Sequence, residues 1–361
     1  MTNVSYISEI NLPSKSGYAH HVLKICDAFS KSYKTKLYVN SSNINFSSLK
    51  KNYLLKKNFQ IIHHKKKRKN NFISRITFVL FILNNIDKNS LIISRSVLSS
   101  LFLSALNIKN ILELHHPPTG LTKIIFVIFR FMGMDKNLKY IFLHKNLKKL
   151  MSMNKGIILD DSVDINDFKK KIIKIKYEYC YVGSLFKGKG LEIIYELALK
   201  FTKKKFHVFG DLNSIDYKTF SIERLRKVPN LYLHNFKTYS HIPSILKSSK
   251  ILLMPYLNNV NVNSENLEVS RYMSPLKMFD YLASGKIIFA SNLKVYNHVL
   301  KHGNNSFIVK KNDLNGWFSL INNFLYKKQL VKKISRNAIM TASNYTWEKR
   351  VKKIISYYQQ K

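Results

Sequence analysis

The chain has 361 residues, 45% of them hydrophobic and 13% aromatic, with 61 Lys and Arg against 20 Asp and Glu for a formal net charge of +41. That much apolar material excludes a disordered chain and is enough for two packed cores, so two domains of about 150–200 residues are expected. The two cysteines, Cys26 and Cys180, stand far apart in apolar surroundings, which excludes a disulfide framework and suits buried thiols in a reducing compartment.

In chain order, "VSYISEI" opens as a strand, and residues 19–32, "AHHVLKICDAFSKS", carry Val22, Ile25, Cys26 and Phe29 at helical spacing. "KTKLYVN" is a second strand. "SLIISRS" (90–96) and "NILELHH" (110–116) are further strands, separated by a helix over "VLSSLFLSALN". The alternation predicts a doubly wound parallel sheet. It restarts at "YEYCYVGSL", a strand, followed by a helix over residues 190–204. "FHVFGD", "LYLHNF", "KILLMPY" and "KIIFAS" are strands of this second unit. The polar, basic residues 164–178 between the two units are the candidate linker.

Residues 1–150 hold 25 Lys and Arg against 5 Asp and Glu. Such a field attracts polyanions, whether nucleic acid or an anionic membrane surface. A general bias toward Lys, Asn and Ile accounts for part of the charge, and least for the scarcity of acids. The basic run "HHKKKRKNN" (63–71) is either a solvated loop or a contact for acidic lipid headgroups or a phosphate-bearing acceptor. No helix-turn-helix, RNA-recognition or zinc module is legible, which argues against nucleic acid. The N-terminal residues lack a basic region followed by an apolar run, so no signal peptide is read. Residues 72–83 and 121–134 are the most apolar stretches. Each is too short and carries Arg or Lys, so they are read as buried or interfacial helices, not membrane spans.

In an open parallel sheet, ligands bind beyond the carboxyl ends of the strands, so the residues after each strand matter most. "VGSLFKGKG" (182–190) puts three glycines and Lys187 and Lys189 between a strand and a helix. A helix N-terminus beside a lysine suits phosphate, although the spacing is neither a Walker loop nor GxGxxG. "SPLKMFDYLASGK" (274–286) reads as a helix capped by Ser274, with Pro275 in its first turn and Gly285 at its end. Leu276, Phe279 and Ala283 would face the core. Lys277 and Asp280 share another face, as a surface ion pair or as two ends of a nucleotide site. "LELHHPP" (112–118) brings His115 and His116 to a strand end. It lacks the ligand count of a metal site, so a histidine that bonds a hydroxyl-rich substrate, or a structural one, is read there. Near the N-terminus, Gly17 precedes a helix in a loop suited to an anion or to close approach.

These segments resemble the retaining glycosyltransferases of family 4, in the branch marked by SPLK. The resemblance covers nearly the whole chain and is most specific over residues 274–313. It implies the GT-B fold, an α/β architecture of two Rossmann-like, doubly wound parallel-sheet domains facing a cleft. Residues 1–165 would be the acceptor-side domain and residues 175–345 the nucleotide-sugar domain. A C-terminal helix at about 346–361 would cross back to the first. The activity implied is transfer of a sugar, with retention, from a nucleotide-sugar donor to a glycan or lipid-linked acceptor, in envelope polysaccharide or lipopolysaccharide synthesis. By the resemblance, the donor site comprises Gly183, Ser184, Lys187, Lys189, Ser274, Pro275, Leu276, Lys277 and Asp280. Lys189 and the helix start would hold the diphosphate and Asp280 the ribose hydroxyls. His115 would contact sugar, so that His115, Lys189 and Asp280 form the catalytic set. Gly17, Arg95 and His116 would lie on the acceptor side. Neither a metal nor a cofactor is implied.

Three departures stand out. The family's first acid would fall on Tyr272. Its phosphate-binding Arg would fall on Ser184, leaving Lys187 or Lys277 as the substitute. Asp280 is one methylene shorter than the usual Glu. The chain is expected in the cytoplasm, peripheral on an anionic membrane face. The alternatives are another GT-B enzyme, such as a sugar-nucleotide epimerase, and a basic nucleic-acid-binding protein.

Overall fold

A computed structural model describes residues 3–41, 44–64, 72–169, 173–215, 221–261 and 268–360. Seven residues of the basic run, 65–71, lie outside the described residues, as do 170–172 within the candidate linker. The chain divides into two compact units, Met1–Asp160 with Trp347–Lys361, and Asp161–Thr346.

Unit 1 is built from β1 (Asn3–Ser8), α1 (Gly17–Phe29), β2 (Lys34–Val39), α2 (Phe46–Tyr53) and β3 (Gln60–His63). There follow α3 (Phe72–Asn85), β4 (Leu91–Ser94), α4 (Val97–Ala105), β5 (Asn110–Leu114), α5 (Gly120–Phe131), β6 (Leu138–Phe142), α6 (Lys145–Leu150) and β7 (Ile157–Ile158). The strands pair in parallel in the order β3-β2-β1-β4-β5-β6-β7. Leu91, Ile92 and Ile93 of β4 are fully buried. A parallel strand covered by helices on both faces reads as such an unbroken apolar run.

Unit 2 repeats the plan with β8 (Tyr177–Val182), α7 (Leu191–Lys200), β9 (Phe206–Phe209), α8 (Ile222–Arg226), β10 (Leu231–His234), α9 (Ile242–Lys247) and β11 (Ser249–Met254). Then come α10 (Leu276–Ser284), β12 (Ile287–Ser291), β13 (Phe307–Val309), α11 (Leu314–Asn323) and α12 (Lys328–Ser343). Its parallel sheet runs β10-β9-β8-β11-β12-β13. Val208, Leu253, Phe289 and Trp317 lie in its core. In both sheets the strand order reverses once, at β1/β4 and at β8/β11, which opens a crevice beyond the strands' carboxyl ends.

The last helix, α13 (Trp347–Gln359), belongs to unit 1. Trp347 sets its indole edge-on to His21 of α1, with ring centroids 5.1 Å apart. Arg350 donates to the Leu159 carbonyl at 2.8 Å and also to that of Asp160. The candidate linker is in part structured: Ile165–Phe168 form a 3-10 turn within unit 2, and the Lys247 ammonium donates to the Phe168 carbonyl at 3.0 Å. Cys26 and Cys180 are buried free thiols.

The helix over "SPLKMFDYLASGK" departs from its expected start. Pro275 itself is the N-cap residue, with extended backbone, and no side chain caps the helix. The Ser274 hydroxyl instead accepts the Asp161 backbone N–H at 3.0 Å, so Ser274 anchors the chain where unit 2 begins. Leu276 is half-buried rather than core, because it lies in the uncovered first turn, whereas Phe279 and Ala283 are buried at 0% and 4% exposure. Gly285 ends the helix in the left-handed region, φ +66°, as its position predicts.

Candidate functional site

Two polar clusters form at strand carboxyl ends, one in each unit. In unit 2, β8 delivers Tyr181 and Gly183, β11 is followed by Tyr256, and α10 begins at the same end of the sheet. The Lys277 ammonium lies 3.8 Å from the centre of the Tyr181 ring and 5.2 Å from that of Tyr256. Lys189 places its own ammonium 5.1 Å from the Tyr256 ring centre. Gly183 makes room for Lys277: a Cβ there would sit 2.2 Å from its Nζ, and φ of +153° is one that residues with side chains rarely adopt.

The Lys277 Nζ is buried and has no hydrogen-bond partner among the described residues. Aromatic faces attract an ammonium but do not accept its three protons. Burial, and then the charge of Lys189, push Lys277 well below the usual lysine range. Burial alone brings Lys189 down to about 8. The first-turn N–H groups of α10, on Leu276 and Lys277, have no intrahelical carbonyl to bond. Two buried ammonium groups and a helix N-terminus converge on one region, and an anion there would satisfy all three.

The other residues singled out from the sequence divide. Ser184 contributes its carbonyl, which accepts the Tyr181 hydroxyl at 2.6 Å and steadies the ring under Lys277. Lys187 is exposed, and its carbonyl accepts the Asn261 N–H at 3.1 Å. Lys277, not Lys187, is therefore the second cation beside Lys189. Asp280 lies one turn further along α10 at 8% exposure, where its carboxylate accepts the Tyr239 hydroxyl at 3.3 Å. Tyr239 was not legible as a partner, since it lies 41 residues away on another element.

In unit 1 the centre is Glu113 on β5. Its Oε2 accepts the Tyr6 hydroxyl at 3.1 Å, and its Oε1 accepts Arg350 Nη2 at 2.7 Å. His21 Nε2 lies 2.9 Å and His115 Nε2 2.8 Å from the same Oε1. Burial would raise the Glu113 carboxyl, but His21 and Arg350 outweigh it and hold it well below the usual carboxylate range. Burial, then the charge of Arg95, bring His115 down to about 3, so its ring is neutral near pH 7. With Nε2 donating to Glu113, Nδ1 keeps a lone pair that can accept a hydroxyl proton.

Arg95, just past β4, stacks its guanidinium 3.9 Å from the Tyr18 ring centre, and its Nη1 is buried without a hydrogen-bond partner among the described residues. Gly17 is the exposed first residue of α1, whose cap is Ser16, accepting the Ala19 N–H at 3.3 Å. His116 is exposed, and its Nδ1 lies 3.0 Å from the Pro117 carbonyl oxygen. Arg95, His115 and Gly17 thus all follow parallel strands at one end of the sheet, with His115 alone engaged by Glu113. His21 and Arg350 carry no local motif; their place at Glu113 depends on α1 and α13 packing together.

Residues 162–341, most of unit 2, match the family model of glycosyl transferases group 1. Solved structures match over the full length. HepE of Anabaena, in complex with UDP and glucose, aligns with a TM-score of 0.74 at 12% identity, covering 99% of this chain and 100% of that one. A variant of S. aureus TarM, in complex with fondaparinux, alpha-GlcNAc-glycerol and UDP, aligns at 0.73 and 11%, covering 100% of both chains. WaaG, a glycosyltransferase involved in lipopolysaccharide biosynthesis, aligns at 0.64 and 11%, covering 98% and 99%. Comparison with curated protein sequences finds no match. The likeness to these structures gives the chain the GT-B fold, and its second unit matches the group 1 glycosyl transferase model. Its group 1 segment is the unit that carries Lys189, Lys277 and Asp280.

Proposed function

We propose that this protein transfers a glycosyl group from a nucleotide-sugar donor to a glycan or lipid-linked acceptor, with retention at the anomeric carbon, as a family 4 enzyme of hexosyl type. The observation that carries the reading is the buried Lys277 Nζ, which has no hydrogen-bond partner among the described residues and lies near Lys189. A buried cation without a partner is costly, and a donor diphosphate would relieve it. In this proposal Lys189, Lys277 and the N–H groups of Leu276 and Lys277 bind the diphosphate. Asp280 accepts the ribose hydroxyls, and His115 offers its Nδ1 to a sugar hydroxyl.

The sugar–phosphate bond breaks with oxocarbenium character, and negative charge grows on the leaving diphosphate. The two ammonium groups stabilise that charge most in the transition state. They supply the role a metal would otherwise fill, so the proposed reaction needs none. Same-face attack, with the leaving phosphate oxygen accepting the acceptor's proton, would give retention without a protein nucleophile. A trapped covalent sugar–enzyme adduct would overturn that step.

Envelope polysaccharide or lipopolysaccharide synthesis is the proposed setting, supported by the likeness to WaaG. A cytoplasmic location is supported by the two buried free thiols. Thermal-shift measurements against UDP-, GDP- and ADP-sugars test the donor reading: one nucleotide class should raise Tm in a concentration-dependent way. Stabilisation by none of them refutes it. NMR of the product's anomeric proton then reads retention directly.

A further inference from the structure

Helix α5 presents an apolar face that unit 1 leaves uncovered. Leu121, Ile124, Val127, Ile128, Phe131 and Met132 are 47–91% exposed, and Phe131 is the most exposed at 91%. At 3.6 residues per turn these positions span about 140° of the helix circumference. Thr122 and Phe126 on the opposite side are the buried residues of the helix. That side is fastened to the unit: Phe129 meets Phe102 of α4 with ring centroids 5.3 Å apart, and Arg75 of α3 donates to the Thr122 hydroxyl at 2.6 Å. The exposed face is therefore held rigidly outward. Monomeric proteins rarely leave so large a contiguous apolar surface without a use.

The charge around this face names the occupant. Lys123 and Arg130 lie along one edge of the apolar arc; no acid occurs from His115 to Met134, and the first one after it, Asp135, comes within 3.9 Å of Arg130 and leaves Lys123 as the exposed cation of the helix. The unit as a whole is strongly basic. A second copy of the chain brought against the same face would meet a like-charged surface. An anionic bilayer would be attracted, and its acyl region would take up the apolar side chains. No helix among the described residues is long and apolar enough to cross a membrane, so the geometry is that of a helix lying in the interface.

We propose that α5 is a membrane-docking helix, which seats Leu121, Ile124, Val127, Ile128, Phe131 and Met132 in the headgroup–acyl boundary of an anionic bilayer. The proposal rests on unit 1 alone and stands or falls independently of the donor reading in unit 2.

The test is co-sedimentation of the full chain with phosphatidylcholine vesicles and with vesicles of phosphatidylcholine and phosphatidylglycerol in equal parts. The parent should sediment with the mixed vesicles. The double variant Ile124→Ser, Phe131→Ser should lose at least about tenfold in partitioning. Both residues are exposed, so Tm should hold. A Phe131→Trp variant gives a second readout: its emission should shift to the blue on adding mixed vesicles, against a constant background from the buried Trp317 and Trp347. Three results would overturn the proposal. They are equal partitioning of parent and double variant, no blue shift, and a concentration-dependent dimer that the double variant dissolves.

Discussion

Lys277 rests its ammonium 3.8 Å from the ring centre of Tyr181, and that ring is steadied by the Ser184 carbonyl. A cation–π contact offsets only part of the cost of burying an ammonium, so the site is strained toward an anion.

Replacing Lys277 with Met should separate binding from stability. Nucleoside diphosphate affinity should fall by about 10–100-fold, as for loss of a charge-assisted contact in a desolvated site. Stability without ligand should stay level or rise, because a buried amine with no hydrogen-bond partner among the described residues has gone. Calorimetric titration and a denaturant series on the same sample check both signs.

Gly183→Ala should mimic that loss of affinity without touching the lysine. The new Cβ would collide with Nζ of Lys277 and drive the ammonium out of its place. The double variant Gly183→Ala, Lys277→Met should then be no weaker in donor affinity than either single one, a non-additivity that a thermodynamic cycle measures.

Lys189 makes affinity and stability respond to pH with opposite signs. Its folded-state value of about 8 lies below its ordinary 10.5. Between those values the unfolded chain binds more protons, so stability without ligand rises with pH there. A diphosphate prefers the charged lysine, so its affinity should fall by about tenfold per pH unit once pH exceeds that value. Titration from pH 7 to pH 9 against a Lys189→Met control isolates the contribution, and proton uptake on binding should appear as a buffer-dependent heat.

Asp280→Glu should keep or raise donor affinity, since one more methylene extends the carboxylate's reach, while Asp280→Ala should weaken it. An Ala variant that binds the donor as tightly as the parent would return Asp280 to a structural role as acceptor for Tyr239.

Glu113→Gln should cost about 3 kcal/mol, because it leaves Arg350 buried without its counter-charge. The lowered carboxyl of Glu113 contributes stability that is present above its ordinary value of 4.5 and is lost as pH falls through the lower folded value. The parent should therefore lose stability steeply below that pH and the Gln variant much less so, as read by denaturant midpoints across an acid series.

The alternation of apolar runs with helical spacing made the strands legible. β4 and β11 are buried along nearly their whole length, and a strand covered on both faces must be apolar throughout. The strands β3, β7 and β13 are not legible, because two to four residues carry too little periodicity, and neither is the five-residue β6, which has no distinct turn signal between it and the apolar stretch before it. The glycines of the loop after β8 and the Lys277–Asp280 spacing were visible because close approach and helix faces follow from local covalent geometry. Ser274 has the local signature of a helix cap, and nothing local reveals that its hydroxyl is taken by the Asp161 N–H, 113 residues away in sequence.

What the sequence alone determined about this protein is its pair of parallel α/β units and which lysines, acids and histidines follow the strand ends. Both follow from periodicity and backbone freedom, which are local properties of the chain. Only the tertiary structure decided which of those residues act together. Lys277 rather than Lys187 joins Lys189, because Gly183 has no Cβ to block it and Tyr181 lies beneath it. His21 and Arg350 meet at Glu113 because α13 returns to pack on α1. Desolvation and charge coupling arise from such long-range packing, and no local pattern encodes them.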